Sequence, residues 1–155
     1  MDDLSRRDFV AMSIAAGVGA AGEAEAQPMM AVTEKNVEIT TPDGTCDAAF
    51  YHPNTGSHPA VIVWPDAFGL RPSMRDIGRR LAGSGYAVLV VNPFYRVVKA
   101  PHFGDISTFS FSNPTDRAKV QPLMASATAA GGAEKDAVAF IAWLDSQPQV
   151  NKARK

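Results

Sequence analysis

The chain has 155 residues, enough for one domain with a real core. Hydrophobic residues make up 46% and charged residues 20%, a globular balance that excludes a disordered chain. The formal net charge is −1, with no basic run apart from the last few residues, which excludes a nucleic-acid-binding surface, and the single Cys46 excludes an intramolecular disulfide.

Residues 1–26 are predicted to be an export signal and residues 27–155 the folded domain. Ser5-Arg6-Arg7-Asp8-Phe9-Val10 resembles the twin-arginine export motif. The uncharged stretch from Phe9 to Gly22 is too short to span a bilayer. Ala24-Glu25-Ala26 offers an A-x-A-like cleavage site before Gln27. Asp2, Asp3 and the lack of a lysine after Val10 depart from the motif. This reading implies the twin-arginine export machinery as a partner, no stable membrane span, and a periplasmic or secreted product. Gly17-Val18-Gly19-Ala20-Ala21-Gly22 also fits a dinucleotide fingerprint. That motif needs a preceding strand and a following helix, whereas Glu23, Glu25 and Pro28 follow here. Small residues of an export signal explain it better.

Val37 to Thr41 and Cys46 to Tyr51 flank Pro42-Asp43-Gly44-Thr45, which predicts a hairpin. Gly44-Thr45-Cys46-Asp47-Ala48 comes close to a nucleophile elbow with cysteine. An elbow passes from a buried strand into a helix; here a turn passes into an alternating strand. Cys46 is therefore read as a half-buried strand residue. His52 and His58 flank a polar loop and are expected to face solvent. No Cys/His cluster has zinc spacing.

Ala60 to Trp64 is a short apolar run rich in β-branched residues, as in a strand covered on both faces. Ala87 to Val91 has the same character. Between them Met74, Ile77, Gly78, Leu81 and Ala82 recur at helical spacing, opposite Arg75, Asp76, Arg79 and Arg80, predicting a helix over 74–84. Ser73 and Asp76 are placed as a capping-box-like start, and Gly83 and Gly85 as the stop. Together the three elements make a right-handed crossover with parallel strands.

An irregular region runs from Arg96 to about Gly132. Asn113 is predicted to cap a short helix with Pro114 in its first turn, and Pro122 to break or restart it. Phe103, Phe109 and Phe111 either line a pocket or pin this loop to the core. His102 lies in the same loop, where a catalytic role is possible. A further helix is predicted over 134–146, with Ala137, Val138, Ile141 and Leu144 as its apolar stripe, Phe140 beside it, and Gln147-Pro148 as its end.

The stretch VIVWPDAFGLRPSMRDIGRRLAGSGYAVLVVNPFYR resembles the dienelactone hydrolase family of α/β-hydrolases. The motif match is Asp66-Ala67-Phe68-Gly69-Leu70 followed by Arg75-Asp76, and the likeness extends over roughly residues 36 to 150. It implies the N-terminal half of an α/β-hydrolase fold: an antiparallel hairpin, then βαβ of a mostly parallel sheet. In that strand order Ala60 to Trp64 would lie between the fourth strand and a fifth.

The resemblance also implies site roles. Asp66 stands where the family has a glutamate that contacts the nucleophilic thiol. The Ala67 amide stands where the family has an oxyanion-hole donor. Arg96 would pair with a substrate carboxylate, and Tyr95 and Phe68 would wall the pocket. No G-x-S-x-G or G-x-C-x-G occurs, so the nucleophile and the histidine of the triad are expected beyond Lys155. The implied enzyme hydrolyses a small-molecule ester or lactone through a cysteine or serine acyl-enzyme, without metal or organic cofactor. The alternative is a non-catalytic exported binding or interaction module that keeps half of the hydrolase fold.

Overall fold

The computed structural model describes residues 28–154, so the predicted export signal and its glycine segment lie outside the described residues. Four strands form one open sheet in the order β1-β2-β4-β3. They are β1 (Val32–Thr41), β2 (Gly44–Pro53), β3 (Ala60–Val63) and β4 (Ala87–Val91). The helices are α1 (Pro72–Gly83), α2 (Pro114–Ala127) and α3 (Gly132–Asp145).

The hairpin forms as its turn chemistry dictates. β1 and β2 are antiparallel, with Thr41 opposite Gly44, whose φ of 138° suits a residue without Cβ. Pairing runs on to Val32 opposite Pro53, well past the predicted ends. Two expectations are corrected here. His52 is inside the sheet rather than solvent-facing: it is 4% exposed, opposite Thr33, and its Nδ1 lies 2.8 Å from the Pro53 carbonyl. Cys46 is fully buried rather than half-buried, because one face of β2 packs on α3 and the other on α1. His58 is half-buried, between the carbonyls of Gly85 and Thr55.

β3 and β4 are parallel, joined through α1 as the crossover requires. β4 explains its own lack of alternation. Ala87, Leu89 and Val91 face a core with Phe50, Phe140 and Leu144; Val88 and Val90 face a second core with Tyr51, Leu70, Met74 and Ala82. α1 lies very close to the sheet at Gly78, where a Cβ would stand 2.7 Å from Val90 Cγ2 and 2.8 Å from the Tyr51 ring. The helix starts at Pro72, so Ser73 is already inside the first turn and no side chain caps the end. Asp76 bonds Arg79 instead, at 2.6 Å.

β3 takes the sheet edge. Its start is partly covered: His58 bridges Val150 in parallel, and the Ala60 amide donates to the Arg154 carbonyl at 3.0 Å. Trp64 falls just beyond the strand and is 41% exposed, its ring tilted against Phe140.

Asn113 caps α2, accepting from the Thr115 amide at 2.9 Å. The helix continues through Pro122 rather than breaking there. Proline costs one backbone bond, and the buried Val120 and Leu123 on either side hold the turn against the body of the protein. α3 is rotated relative to the expected stripe. Gly132, Asp136, Phe140 and Leu144 are buried, whereas Val138 is 70% exposed and Ile141 41%. The row at every fourth residue faces the sheet because Asp136 finds cationic and hydroxyl partners there.

Candidate active site

Two loops leave the carboxyl ends of the parallel strands, the place where open α/β sheets bind ligands. Pro65, Asp66 and Ala67 follow β3; Pro93 and Phe94 follow β4. Between them and the two later helices is an open cavity of about 210 Å³. Trp64 stands at its rim, and Met124, Ala127 and Ala133 close the far side.

The loop after β3 is built around Asp66. Its carboxylate receives both terminal nitrogens of Arg71, with Nη2 to Oδ2 at 2.9 Å, and the Phe68 amide at 3.0 Å. Arg71 first, then the Phe68 amide, hold the Asp66 pKa below the ordinary carboxylate value. The Asp66 carbonyl accepts from the Gly69 amide at 2.9 Å, closing a tight turn in which Gly69 has a φ of 67°. That leaves the Ala67 amide. It makes no hydrogen bond among the described residues, and Ala67 lines the cavity. An anionic side chain and an unspent backbone donor thus stand side by side at one sheet edge.

Gly69 has a second reason to lack a side chain. A Cβ there would lie 2.4 Å from His102 Cε1. The His102 ring is wedged behind the turn, 5.2 Å from the Phe94 ring and 4.9 Å from that of Phe103. Both ring nitrogens are buried without a partner, and burial lowers the pKa. Phe68 turns away from the cavity into a cluster with Phe103, Phe109 and Phe111, with the Arg71 guanidinium 5.5 Å from its ring. The aromatic run pins the long loop to the Asp66 turn.

Asn92, wholly buried, organises the loop after β4. It donates to Asp47 Oδ1 and to the Val98 carbonyl, and accepts from the Phe94 amide. Tyr95 and Arg96 then point away from the cavity. The Tyr95 hydroxyl donates to Asp136 Oδ1 at 2.7 Å and lies 2.7 Å from Thr41 Oγ1. Burial, and then the hydrogen bond to the Asp136 carboxylate, push its pKa up to about 12. Arg96 stacks over the Tyr95 ring at 4.6 Å. Its guanidinium bonds Asp136 at 2.7 and 2.9 Å and Asp43 at 2.8 and 3.1 Å. Cys46 lies in the sheet behind this cluster, its thiol pushed up to about 12 by burial. A thiol so protonated is a poor nucleophile.

The sequence profile of the dienelactone hydrolase family matches residues 46–154. The chain belongs to the dienelactone hydrolase family. A Methylorubrum extorquens protein carrying a carboxymethylenebutenolidase name is 32% identical over 114 residues, covering 69% of this chain and 37% of that protein. Among solved structures, a Klebsiella pneumoniae protein named as a dienelactone hydrolase superposes with a TM-score of 0.61 at 21% identity, over 80% of this chain and 48% of the other. A dienelactone hydrolase-like promiscuous phosphotriesterase from metagenomic libraries gives a TM-score of 0.52 at 25% identity, over 80% and 47%. The mixed open sheet is therefore part of an α/β-hydrolase fold. The chain spans about half the length of these two solved relatives, and less of the curated one.

Of the residues singled out in this dienelactone hydrolase family chain, Asp66 and Ala67 are brought together at the cavity. Arg96 and Tyr95 are brought together with each other, but into the cluster beside α3. Phe68 supports the turn from behind. Sequence reasoning missed Arg71, Asp43 and Asp136 as partners, and Met124, Ala127 and Ala133 as cavity wall. For Arg71 a signal existed: an acid and an arginine five residues apart bracket the Phe-Gly turn.

Proposed function

We propose that this chain is the oxyanion-loop half of a dienelactone-hydrolase-family enzyme that cleaves esters or lactones. The observation that carries the reading is the free Ala67 amide, lining a cavity at the carboxyl end of β3 beside the ionised Asp66. In this reading a cysteine or serine on an elbow beyond Lys155 attacks the substrate carbonyl. The carbonyl oxygen becomes an oxyanion, held by Ala67 N–H and by the amide after the nucleophile. A histidine takes the nucleophile's proton and returns it to the leaving alcohol. Water then releases the acid from the acyl-enzyme. Asp66 contributes a fixed negative charge beside the resting nucleophile, one methylene shorter than the family's glutamate.

The test uses the full-length product of the reading frame that contains this chain. Saturable hydrolysis of p-nitrophenyl acetate is expected. Ala67→Pro, which deletes the amide proton, should lower kcat by about 10²- to 10³-fold with the protein still folded by circular dichroism. A folded Ala67→Pro protein with unchanged kcat would sink the oxyanion assignment. A full-length protein with no elbow and no esterase activity would favour the non-catalytic binding module instead. Residues 27–155 alone should not hydrolyse the ester above background, since the Cys46 thiol is buried and protonated.

We also propose that residues 1–26 are a twin-arginine-type export signal and that residues 27–155 belong to a periplasmic or secreted domain. The Arg6-Arg7 pair, the short uncharged stretch and Ala24-Glu25-Ala26 support this. Replacing both arginines by lysine should retain the precursor in the cytoplasm; unchanged export would remove the assignment.

A further inference from the structure

We propose that His102 is a pH-sensitive strut behind the Asp66 turn: the neutral ring props the turn in place, and protonation favours the ring's release and the turn's opening. The link from this turn to catalysis rests on the proposed oxyanion role of Ala67; the strut itself does not.

The ring fills the space that Gly69 leaves by having no Cβ, with Nε2 3.0 Å from where that atom would stand. Phe94 packs on it from the β4 side at 5.2 Å, and Phe103 from its own loop at 4.9 Å. Phe103 in turn meets the Phe68 ring at 5.6 Å. The Phe68 and Gly69 amides close the turn on Asp66, donating to its carboxylate at 3.0 Å and its carbonyl at 2.9 Å. Moving the His102 ring therefore moves the backbone that carries the Ala67 amide. His102 does not line the cavity, so it is a positioning residue.

The polarity of the ring makes the strut conditional. Both nitrogens are buried without a partner, although the residue as a whole is half-buried and has a way out. Atoms of this chain already enclose them, so their setting does not depend on residues beyond Lys155. A neutral imidazole leaves one donor and one acceptor unmet there; an imidazolium leaves two charged donors unmet. The charged groups on the surrounding elements are engaged elsewhere. Asp47 of β2 accepts from Asn92 and the Ala100 amide, and Asp66 and Arg71 on the turn hold each other. Arg75 of α1 goes to Glu34, Lys99 to Glu38, and Asp105 accepts from Ser107. Burial lowers the His102 pKa, and the Asp47 charge offsets this only in part. A released ring regains the ordinary value of about 6.5. The strut is thus fully held above about pH 6.5 and is lost as pH falls through the lower folded value.

The test follows hydrogen exchange of the Phe68 and Gly69 amides in the full-length protein between about pH 7 and about pH 5, corrected for the intrinsic rate at each pH. Asp66 stays ionised over this range, because its own pKa lies below the ordinary carboxylate value. Opening of the turn should rise about threefold or more on acidification, with a ceiling of about 25-fold set by a free histidine. His102→Phe and His102→Leu keep an apolar side chain behind Gly69 and cannot take a proton. In both, opening should stay constant within about 1.5-fold. In the unmutated protein the His102 ring carbon resonance should titrate below about pH 6.5. It is identified by its loss in either variant. Exchange that ignores pH, an equal acid response in a folded variant, or a ring titrating at or above about 6.5 would each overturn the inference. Acid opening in a full-length protein that hydrolyses no ester would support the strut and remove the esterase reading, so the two fail separately.

Discussion

Two arginine–carboxylate clusters stand at the same end of the sheet and differ mainly in depth. Arg71 and Asp66 bridge a surface turn, with side chains 17% and 54% exposed. Arg96 and Asp136 are 16% and 2% exposed, and tie α3 to the loop after β4 and to the β1–β2 turn through Asp43. Water screens the first pair, so its energy is small and its geometry adjustable. The second has given up its hydration and cannot be loosened without stranding a charge. The same pairing chemistry thus braces a surface turn in one place and ties buried elements together in the other.

The comparison is broken most severely at Asp136. Asp136→Ala strands one edge of a mostly buried guanidinium. Removing one partner of a buried pair costs about 3–5 kcal/mol, and the remaining Asp43 places this case near the lower figure, about 3 kcal/mol. Urea unfolding of Asp136→Ala and Asp136→Asn would measure it. The asparagine variant should lose less, because it keeps hydrogen-bond acceptance. A loss under about 1 kcal/mol for the alanine variant would place the cluster with surface pairs.

A smaller effect is expected at Tyr95. Tyr95→Phe deletes the hydroxyl that joins Thr41 to Asp136, at a cost of about 0.5–1.5 kcal/mol. In the unmutated protein, ultraviolet titration should find this tyrosine ionising at about 12. Ionisation at about 10, the value of a free phenol, would mean the hydroxyl is not buried against Asp136.

Arg71 should show the least effect on stability and a clear one on pH dependence. Arg71→Ala should cost at most about 1 kcal/mol, as exposed pairs do. The Asp66 pKa is lowered in the folded state, so the pair's stabilisation is present above the unfolded aspartate value of about 3.9. It is lost as pH falls through the lower folded value. The stability difference between Arg71→Ala and the unmutated protein should therefore shrink below about pH 4. A difference that stays constant to pH 2 would show that Arg71 acts through its packing on Phe68 rather than through Asp66.

α1 and α3 show how far pattern reading reached. In α1 the apolar period and the buried face agree at Met74, Gly78 and Ala82, because the charged side chains have solvent or surface partners to go to, while Ile77 at the edge of the stripe is 42% exposed. In α3 the same method found Leu144 and Phe140, which are buried, but also chose Val138 and Ile141, which are exposed, and passed over Asp136, which is buried. A hydropathy period treats every carboxylate as an outward residue. It has no means of knowing that an arginine 40 residues earlier waits on the inner side. The site divides in the same way. The position of Asp66 and Ala67 at the carboxyl end of β3 was legible, because a short motif directly follows a buried strand. The cavity wall was not, since Met124, Ala127 and Ala133 come from helices whose docking no local pattern states.

What the sequence determined by itself is what short-range chemistry controls. Pro42-Asp43-Gly44 turns the hairpin, β-branched runs make β3 and β4, and the strand-helix-strand order makes them parallel. The cap at Asn113 and the left-handed glycine at 85 belong here too. Each depends on neighbours a few residues away, where backbone sterics and one or two hydrogen bonds decide the outcome. The tertiary structure decided which face of α3 turns inward, which carboxylates Arg96 meets, and that His52 and Cys46 are buried. Those outcomes join residues 40 and 53 positions apart. They are settled by the free energy of burying whole surfaces together, in which one well-paired aspartate can outweigh the exposure of a valine and an isoleucine.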